Sequence, residues 1–446
     1  MKIKFLTLIQ ALMIGALLVN CGSDPEPETT AGTGTSSGGG TGTNPGSENV
    51  ADKNFLETTG TQFVNSFNKA DFTNFEPIRR VLEEKRYDSE GLKHFEDVYE
   101  SLKRVVSSST YYSYYRTTLI ASQFYGNYYV ANNKWYYQES TSGCQFRFPD
   151  ANGQEVVATV KTSGSTKTVY LYDERDHHYS YTNSGYTYSE ETNSIYAAIP
   201  ERIEVLVTQG GTKIVESVTN INLSNVVEGE KYDLSRNSFD VNTKTTIKGK
   251  YVVNVSQAKY TANNGANVSF TISSGGTTLV TGTASAKGQA TNEELKSLRD
   301  INATLDILGR VQLKATCDDG IALSNYMDDA RSYRYEESRY KSIIDQINRL
   351  YTVNMYYNGN STLKATAMLE PFEEQYQAYS WNPTTGPQYT LQSRWECKPI
   401  IKFTSDQSSY ALEEYFSESR FKSVVDDFKS LVESVARNFT DERIDW

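Results

Sequence analysis

Histidine is nearly absent. His94, His177 and His178 are the only three in 446 residues, so any imidazole-dependent chemistry must run through one of them. Cysteine is almost as scarce. Cys21 stands alone near the N-terminus, and Cys144, Cys317 and Cys397 lie far apart. No CxxC pair is present to hold zinc or to run thiol–disulfide exchange. The last three leave two states open, one disulfide with one thiol or three thiols. The body of the chain carries no GxSxG elbow, no HExxH, no Walker loop and no dinucleotide-binding fingerprint. No catalytic residue and no cofactor are therefore assigned. Basic charge is short as well, with 44 Lys and Arg against 55 Asp and Glu. That is the wrong sign for a nucleic-acid footprint and for a polybasic grip on anionic lipid.

Long apolar runs are missing except at the start. Lys2 and Lys4 precede an apolar stretch from Phe5 to Leu18, too short for a comfortable membrane span and followed at once by polar chain. Residues 1–20 therefore read as a signal peptide. Leu18-Val19-Asn20-Cys21 resembles the lipobox of bacterial lipoproteins, in which only a cysteine sulfur can take the diacylglycerol thioether. From Gly22 to Gly46 the chain is mostly Gly, Ser and Thr, with early acids at Asp24, Glu26 and Glu28 alternating with Pro25 and Pro27. Such a stretch buries too little apolar area to offset its ordering entropy, so residues 21–50 read as a flexible tether. Signal and tether together resemble those of Bacteroidota surface lipoproteins. The resemblance stops there and implies no activity. It implies lipidation at Cys21, an outer-membrane location with the body at the cell surface, and the membrane as partner through the lipid.

The body divides into a 51–290 region of helices plus antiparallel sheet and a 291–446 helical and hairpin region. Helical spacing runs through Phe63, Val64 and Phe67, through Ile78, Val81 and Leu82, and most cleanly from Leu92 to Val106. From about 118 to 284 the period becomes two. A turn signal stands at Asp150–Gly153 between strand-like runs. Val205–Val215 matches Phe270–Val280 at an offset of 65, each with a Gly-Gly turn; a repeated hairpin and convergence on good turn chemistry both account for it. Leu295, Leu298, Ile301, Leu305 and Leu308 share a helical face over 292–308. A further helix is expected over 333–350, a hairpin over 352–368 and a closing amphipathic helix over Phe421–Phe439. The expected class is α+β: an antiparallel meander or half-barrel flanked by helices, then a second α+β region.

Three clusters could carry chemistry. Asp176, His177 and His178 have metal-ligand atoms, but neighbours on a strand face opposite ways. Asp318 and Asp319 with Asp328 and Asp329 offer oxygens for calcium without the spacing of a calcium loop, and a capped turn explains them equally well. The strongest cluster is aromatic. Tyrosine is the compositional outlier, at 33 residues, and crowds 111–137 and 172–196. Tyr125, Tyr128, Tyr129, Trp135, Tyr136, Tyr179, Tyr181 and Tyr186 are the candidate ligand-binding rings. If doublets such as Tyr128-Tyr129 lie on strands, each puts one ring on either face. The expected function is non-catalytic binding of a polysaccharide or envelope ligand. A structural or assembly component with a protein partner is the second reading, and a glycan-active hydrolase with an unmarked carboxylate pair the third.

Overall fold

The computed structural model describes residues 47–438 apart from 85, 95–111, 183–184, 291–294, 383–385, 412–414 and 416–418. Cys21, the signal, the tether and most of the Leu92–Val106 stripe lie outside the described residues.

The expected helix-flanked half-barrel is not what forms. Among the described residues strand accounts for 58% and helix for 24%, in a β-rich, mixed sheet architecture of seventeen strands. The chain folds as two units. One gathers α1 (Ser47–Asn65), Leu279–Lys287 and Ser297–Val432; the other holds Asn68–Thr278 and Gly288–Lys296.

In the second of these, α2 (Phe75–Glu83) precedes β1 (Tyr112–Ile120), β2 (Gly126–Ala131), β3 (Lys134–Gln138) and β4 (Cys144–Pro149). Next come the very long β5 (Glu155–Thr182) and β6 (Gly185–Gln209), then β7 (Thr212–Ser224), β8 (Ser238–Ile247), β9 (Tyr251–Thr261) and β10 (Gly265–Ser274). Pairing runs β3-β2-β4-β5-β6-β7-β8-β9-β10. β2 joins β4 in parallel, and β1 lies parallel to the first half of β6 while β7 takes the second half. A core forms where Val81 of α2 meets Tyr128, Trp135, Cys144, Phe148 and Val156. Asp150 starts the expected turn by accepting from the amides of Asn152 (2.8 Å) and Gln154 (2.9 Å). Its other oxygen accepts from Gln209 Nε2 at 2.5 Å, and Asn74 Nδ2 donates to Gln209 Oε1 at 2.7 Å, which ties the turn, β6 and the start of α2 together.

The other unit holds most of β11 (Thr277–Ala290) and pairs β12 (Leu295–Ile307), β13 (Val311–Asp319), β14 (Tyr351–Tyr357), β15 (Leu363–Asn382), β16 (Gly386–Phe403) and β17 (Ser409–Ala411) in that order, all antiparallel. Helices α3 (Gly320–Ser332) and α4 (Glu337–Leu350) fill the β13–β14 connection, and α5 (Ser419–Ala436) closes the fold. Phe421 of α5 packs with Tyr357, Ala365, Phe403 and Tyr415, with Phe55 of α1 against them. Tyr340, Ile343, Ile344 and Ile347 of α4 pack on Leu369 and Cys397. The last two helices thus form where their stripes predict.

The helix expected over 292–308 is a strand. Ile301, Leu305 and Leu308 satisfy a helical period, but Ile301, Ala303, Leu305 and Ile307 satisfy a period of two equally well. They face Cys317, Ala315, Leu313 and Val311 of β13 in register. Pairing on both the hydrogen-bond and the side-chain level outweighs the short helical stripe. The turn after it puts Leu308 at φ 58° and Gly309 at φ 65°. The two matching Gly-Gly hairpins also share geometry: Gly210 and Gly211 have φ 55° and 80°, Gly275 and Gly276 55° and 83°. Two positive φ values in succession match the strand twist, and glycine takes them without a Cβ clash.

Candidate functional site

The β5–β6 hairpin outgrows its sheet. Beside it, among the described residues, β1 pairs from Ile120, opposite Ala198, to Tyr112, opposite Glu190. Beyond that point, among the described residues, β5 and β6 are paired only with each other, out to Thr182 and Gly185. The result is a two-stranded ribbon. Two irregularities in β5, between Ser163 and Thr166 and between Tyr170 and Tyr172, offset its two edges. The first is pinned by Glu201, which accepts from the Ser165 amide at 3.1 Å and from its hydroxyl. These Ser165 bonds hold the Glu201 carboxyl below its usual range.

Register decides which side chains share a face. Tyr181 opposes Tyr186, Tyr179 opposes Tyr188, His177 opposes Glu190 and Asp173 opposes Ser194, all on one side of the ribbon. The Tyr181 and Tyr186 rings are 6.3 Å apart and those of Tyr179 and Tyr188 5.3 Å. His177 stacks on Tyr188 at 5.8 Å. The Tyr188 hydroxyl donates to Glu190 Oε2 at 2.9 Å and lies 2.8 Å from His177 Nδ1. Towards the sheet, Ser194 Oγ donates to Asp173 Oδ1 at 2.5 Å and lies 2.6 Å from the Tyr114 hydroxyl. Tyr196 closes the row, with the Arg116 guanidinium 4.1 Å over its ring and Tyr170 edge-on at 5.6 Å. Burial, then the Asp173 carboxylate, push the Tyr170 phenol up; burial also raises that of Tyr196.

The rings at the far end are open to solvent. Tyr179, Tyr181 and Tyr186 are 59%, 82% and 66% exposed. Tyr114 is exposed too, whereas Tyr196 is buried. The face therefore grades from a fixed polar base to free aromatic rings.

The other candidate rings fall elsewhere. Tyr128 and Trp135 are buried in the core, with Tyr128 stacked on Phe146 at 4.9 Å. Tyr125 is half-buried, and its hydroxyl meets Thr162 Oγ1 at 2.7 Å. Tyr129 and Tyr136 form a stacked outward pair with ring centroids 5.6 Å apart. The eight rings thus do not form one surface. Tyr179, Tyr181 and Tyr186 share one face, Tyr129 and Tyr136 make a separate patch, and the rest support the core. Tyr114, Tyr188 and Tyr196 belong to the aromatic stretches, and an assumed period of two would have chosen Tyr188 with Tyr186. Arg116, Asp173, Glu190 and Ser194 gave no such signal, since only the strand register brings them in.

Asp176, His177 and His178 do not converge. His177 faces the aromatic side, while His178 is on the other face with its Nε2 3.4 Å from Glu191. Among the described residues no three His, Cys, Asp or Glu side chains are grouped to hold a metal ion. Asp319 caps α3, accepting from the amides of Ile321 at 3.0 Å and Ala322 at 2.9 Å, which is the capped-turn alternative for that acidic cluster. His94 stacks on Tyr137 at 3.6 Å.

A second polar array occupies β15–β16. Tyr376 donates to Gln392 Oε1 at 2.9 Å and meets the Tyr335 hydroxyl at 3.2 Å. Arg394 lies between Glu374 (2.7 Å) and Glu396 (3.0 Å). Burial raises the Glu396 carboxyl against the opposing pull of Arg394. No helix among the described residues is long and apolar enough to cross a membrane. Comparison of the chain with protein-family models, with curated proteins and with solved structures gives no match.

Proposed function

We propose that this chain is a lipid-anchored envelope protein that binds an extended glycan, without cleaving it, along the aromatic face of the β5–β6 ribbon. The observation that carries this reading is the exposure of Tyr179, Tyr181 and Tyr186 on one face, beside the hydrogen-bonding groups of His177, Tyr188 and Glu190. An aromatic ring offers a flat apolar platform for the C–H face of a sugar, and neighbouring polar groups fix its hydroxyls. Successive rungs on one face are about 7 Å apart, and the span from Tyr181 to Asp173 is about 27 Å. A linear chain lying along the ribbon would meet several rungs at once. A compact ligand would meet one.

The lipid anchor on Cys21 and the tether fit this role, since they would hold the ribbon away from the membrane. The second reading is a protein partner that covers the same rings. Affinity electrophoresis of the mature protein in polysaccharide gels, with reducing ends followed in parallel, separates the possibilities. Retardation without new reducing ends is the expected result. Retardation with release makes the protein a hydrolase. No retardation in any polymer removes the glycan reading in favour of a protein partner, to be sought by crosslinking on intact cells.

A further inference from the structure

The charged groups on the aromatic side of the ribbon narrow the ligand further, resting on the reading of that face as a glycan platform. They follow one another inward from the exposed rings. Glu190 stands opposite His177, Arg175 opposite Thr192 on the next rung, and Asp173 opposite Ser194 on the one after. Arg116 of β1 comes last, level with Ser194 and lying over the Tyr196 ring. The signs therefore alternate, acid, guanidinium, acid, guanidinium, and they cancel. Glu174, Asp176 and Glu191 stand on the opposite face. At the inner end Glu228 lies in the field of both Arg116 and Lys167, which adds one charge of each sign.

Such a row asks for a particular chemistry. Guanidinium groups only donate hydrogen bonds, and carboxylates only accept them. Tyr188 fixes Glu190 by donating to its Oε2, and Ser194 fixes Asp173 by donating to its Oδ1. A carboxylate offers about four lone-pair sites, so both acids retain room for a ligand's donor. A sugar hydroxyl can donate to one rung and accept from the next. An ammonium can only donate, and it meets a guanidinium beside each acid. A carboxylate or sulfate on the ligand can only accept, and it meets an acid beside each guanidinium.

We infer that the aromatic face of the β5–β6 ribbon selects an uncharged, hydroxyl-rich glycan over cationic and anionic chains of the same backbone. Sugar rings stack on Tyr179, Tyr181 and Tyr186, and the hydroxyls of the residues that follow run across Glu190, Arg175, Asp173 and Arg116 in turn.

The test uses the full mature protein in detergent and calorimetric titration. The probes are oligomers of glucose, mannose and galactose, each in three forms that differ only at C6: the hydroxyl, a 6-amino group, and the 6-carboxyl of a uronic acid. A pH of about 8 keeps the alkyl amines charged and lies above the ordinary imidazole range. A neutral oligomer is expected to bind at least about tenfold tighter than either charged form of its backbone. Added salt should leave that affinity within about twofold, since the ligand has no charge to screen. Single substitutions unbalance the row. Arg175→Gln should bring the 6-amino form at least about threefold closer to the neutral one, and Glu190→Gln should do the same for the 6-carboxyl form. Equal or tighter binding of a charged form in the wild type, or variants that leave the preference where it was, overturns the inference and leaves the platform standing. If no oligomer binds in any form, the glycan platform itself falls, and the inference with it.

Discussion

Tyr128 and Tyr129 are neighbours in sequence, yet one ring is sealed in the core and the other lies on the outer face, stacked on Tyr136. The strand pleat alone separates them, since alternate side chains point to opposite faces. Their substitutions should separate as sharply. Tyr128→Ala removes a fully buried ring and is expected to cost about 3–5 kcal/mol, whereas Tyr129→Ala should change stability by about 0.5 kcal/mol or less. Urea unfolding of both variants reads this directly, and comparable losses would mean that the outer ring is also structural.

The same division predicts the behaviour of the ribbon. A double substitution Tyr181→Ala, Tyr186→Ala removes two exposed rings and should leave the melting temperature in place. It should weaken retardation by a bound polysaccharide about tenfold or more, because stacked rings supply most of the proposed contact. Full affinity in this variant would move the binding surface away from the ribbon.

Leu308 holds a positive φ beside Gly309 at the centre of the turn closed by the Arg310 amide on the Ile307 carbonyl, a conformation that costs a side chain with a Cβ about 1–2 kcal/mol. Asn-Gly is the favoured pair for such a turn. Leu308→Asn is therefore expected to stabilise its unit by about 0.5–1 kcal/mol, seen as a higher urea midpoint with an unchanged slope. A loss of stability would show that the partly buried Leu308 side chain contributes more than its backbone strain takes away.

Burial raises the Cys144 thiol to about 11, from an ordinary value of 9.0. A group held protonated in the fold contributes stability below its unfolded pKa, and that stability drains away as pH climbs through the window between about 9 and 11. The contribution is about 2–3 kcal/mol at one pKa unit per 1.36 kcal/mol. The phenols of Tyr340 and Tyr357, also raised by burial, act in the same direction. Stability measured against pH should fall on the alkaline side, and Cys144→Ala should flatten part of that fall. In the native protein Cys144 should also resist alkylation at pH values where an exposed thiol reacts.

On the acid side the relevant group is Asp71. Lys250 donates to its Oδ2 at 2.8 Å and Tyr251 at 2.6 Å, and these bonds hold its carboxyl below the usual range. Its contribution is present above the unfolded carboxylate pKa and is lost as pH drops through the lower folded one. The Tyr251 hydroxyl also accepts from the Asn68 amide at 2.9 Å, so Tyr251→Phe should destabilise by about 1–3 kcal/mol at neutral pH. That deficit should shrink in acid, where Asp71 is protonated in wild type and variant alike.

Local pattern was a good guide where one period was unambiguous and close to one partner. The stripe of Tyr340, Ile343, Ile344 and Ile347 became α4, and the Asn358-Gly359 turn joined β14 to β15. It misled over 292–308, where both periods fit and a distant strand, β13, decided between them. The β-rich class was missed for the same reason, since the parallel pairs β1–β6 and β2–β4 join segments with no local mark of adjacency.

The candidate surface divides along the same line. Composition and spacing alone marked the tyrosine-rich segments, the acidic balance, and the lipobox-like start with its tether, because each is a property of short stretches. Which rings face solvent was not written there. It depends on the register of β5 against β6, which is carried by one ladder of pairs from Val156 with Gln209 out to Thr182 with Gly185. A shift of one residue in that register would turn Tyr179 and Tyr181 to the opposite face, so the tertiary structure alone aligned them with Tyr186, Tyr188 and Glu190.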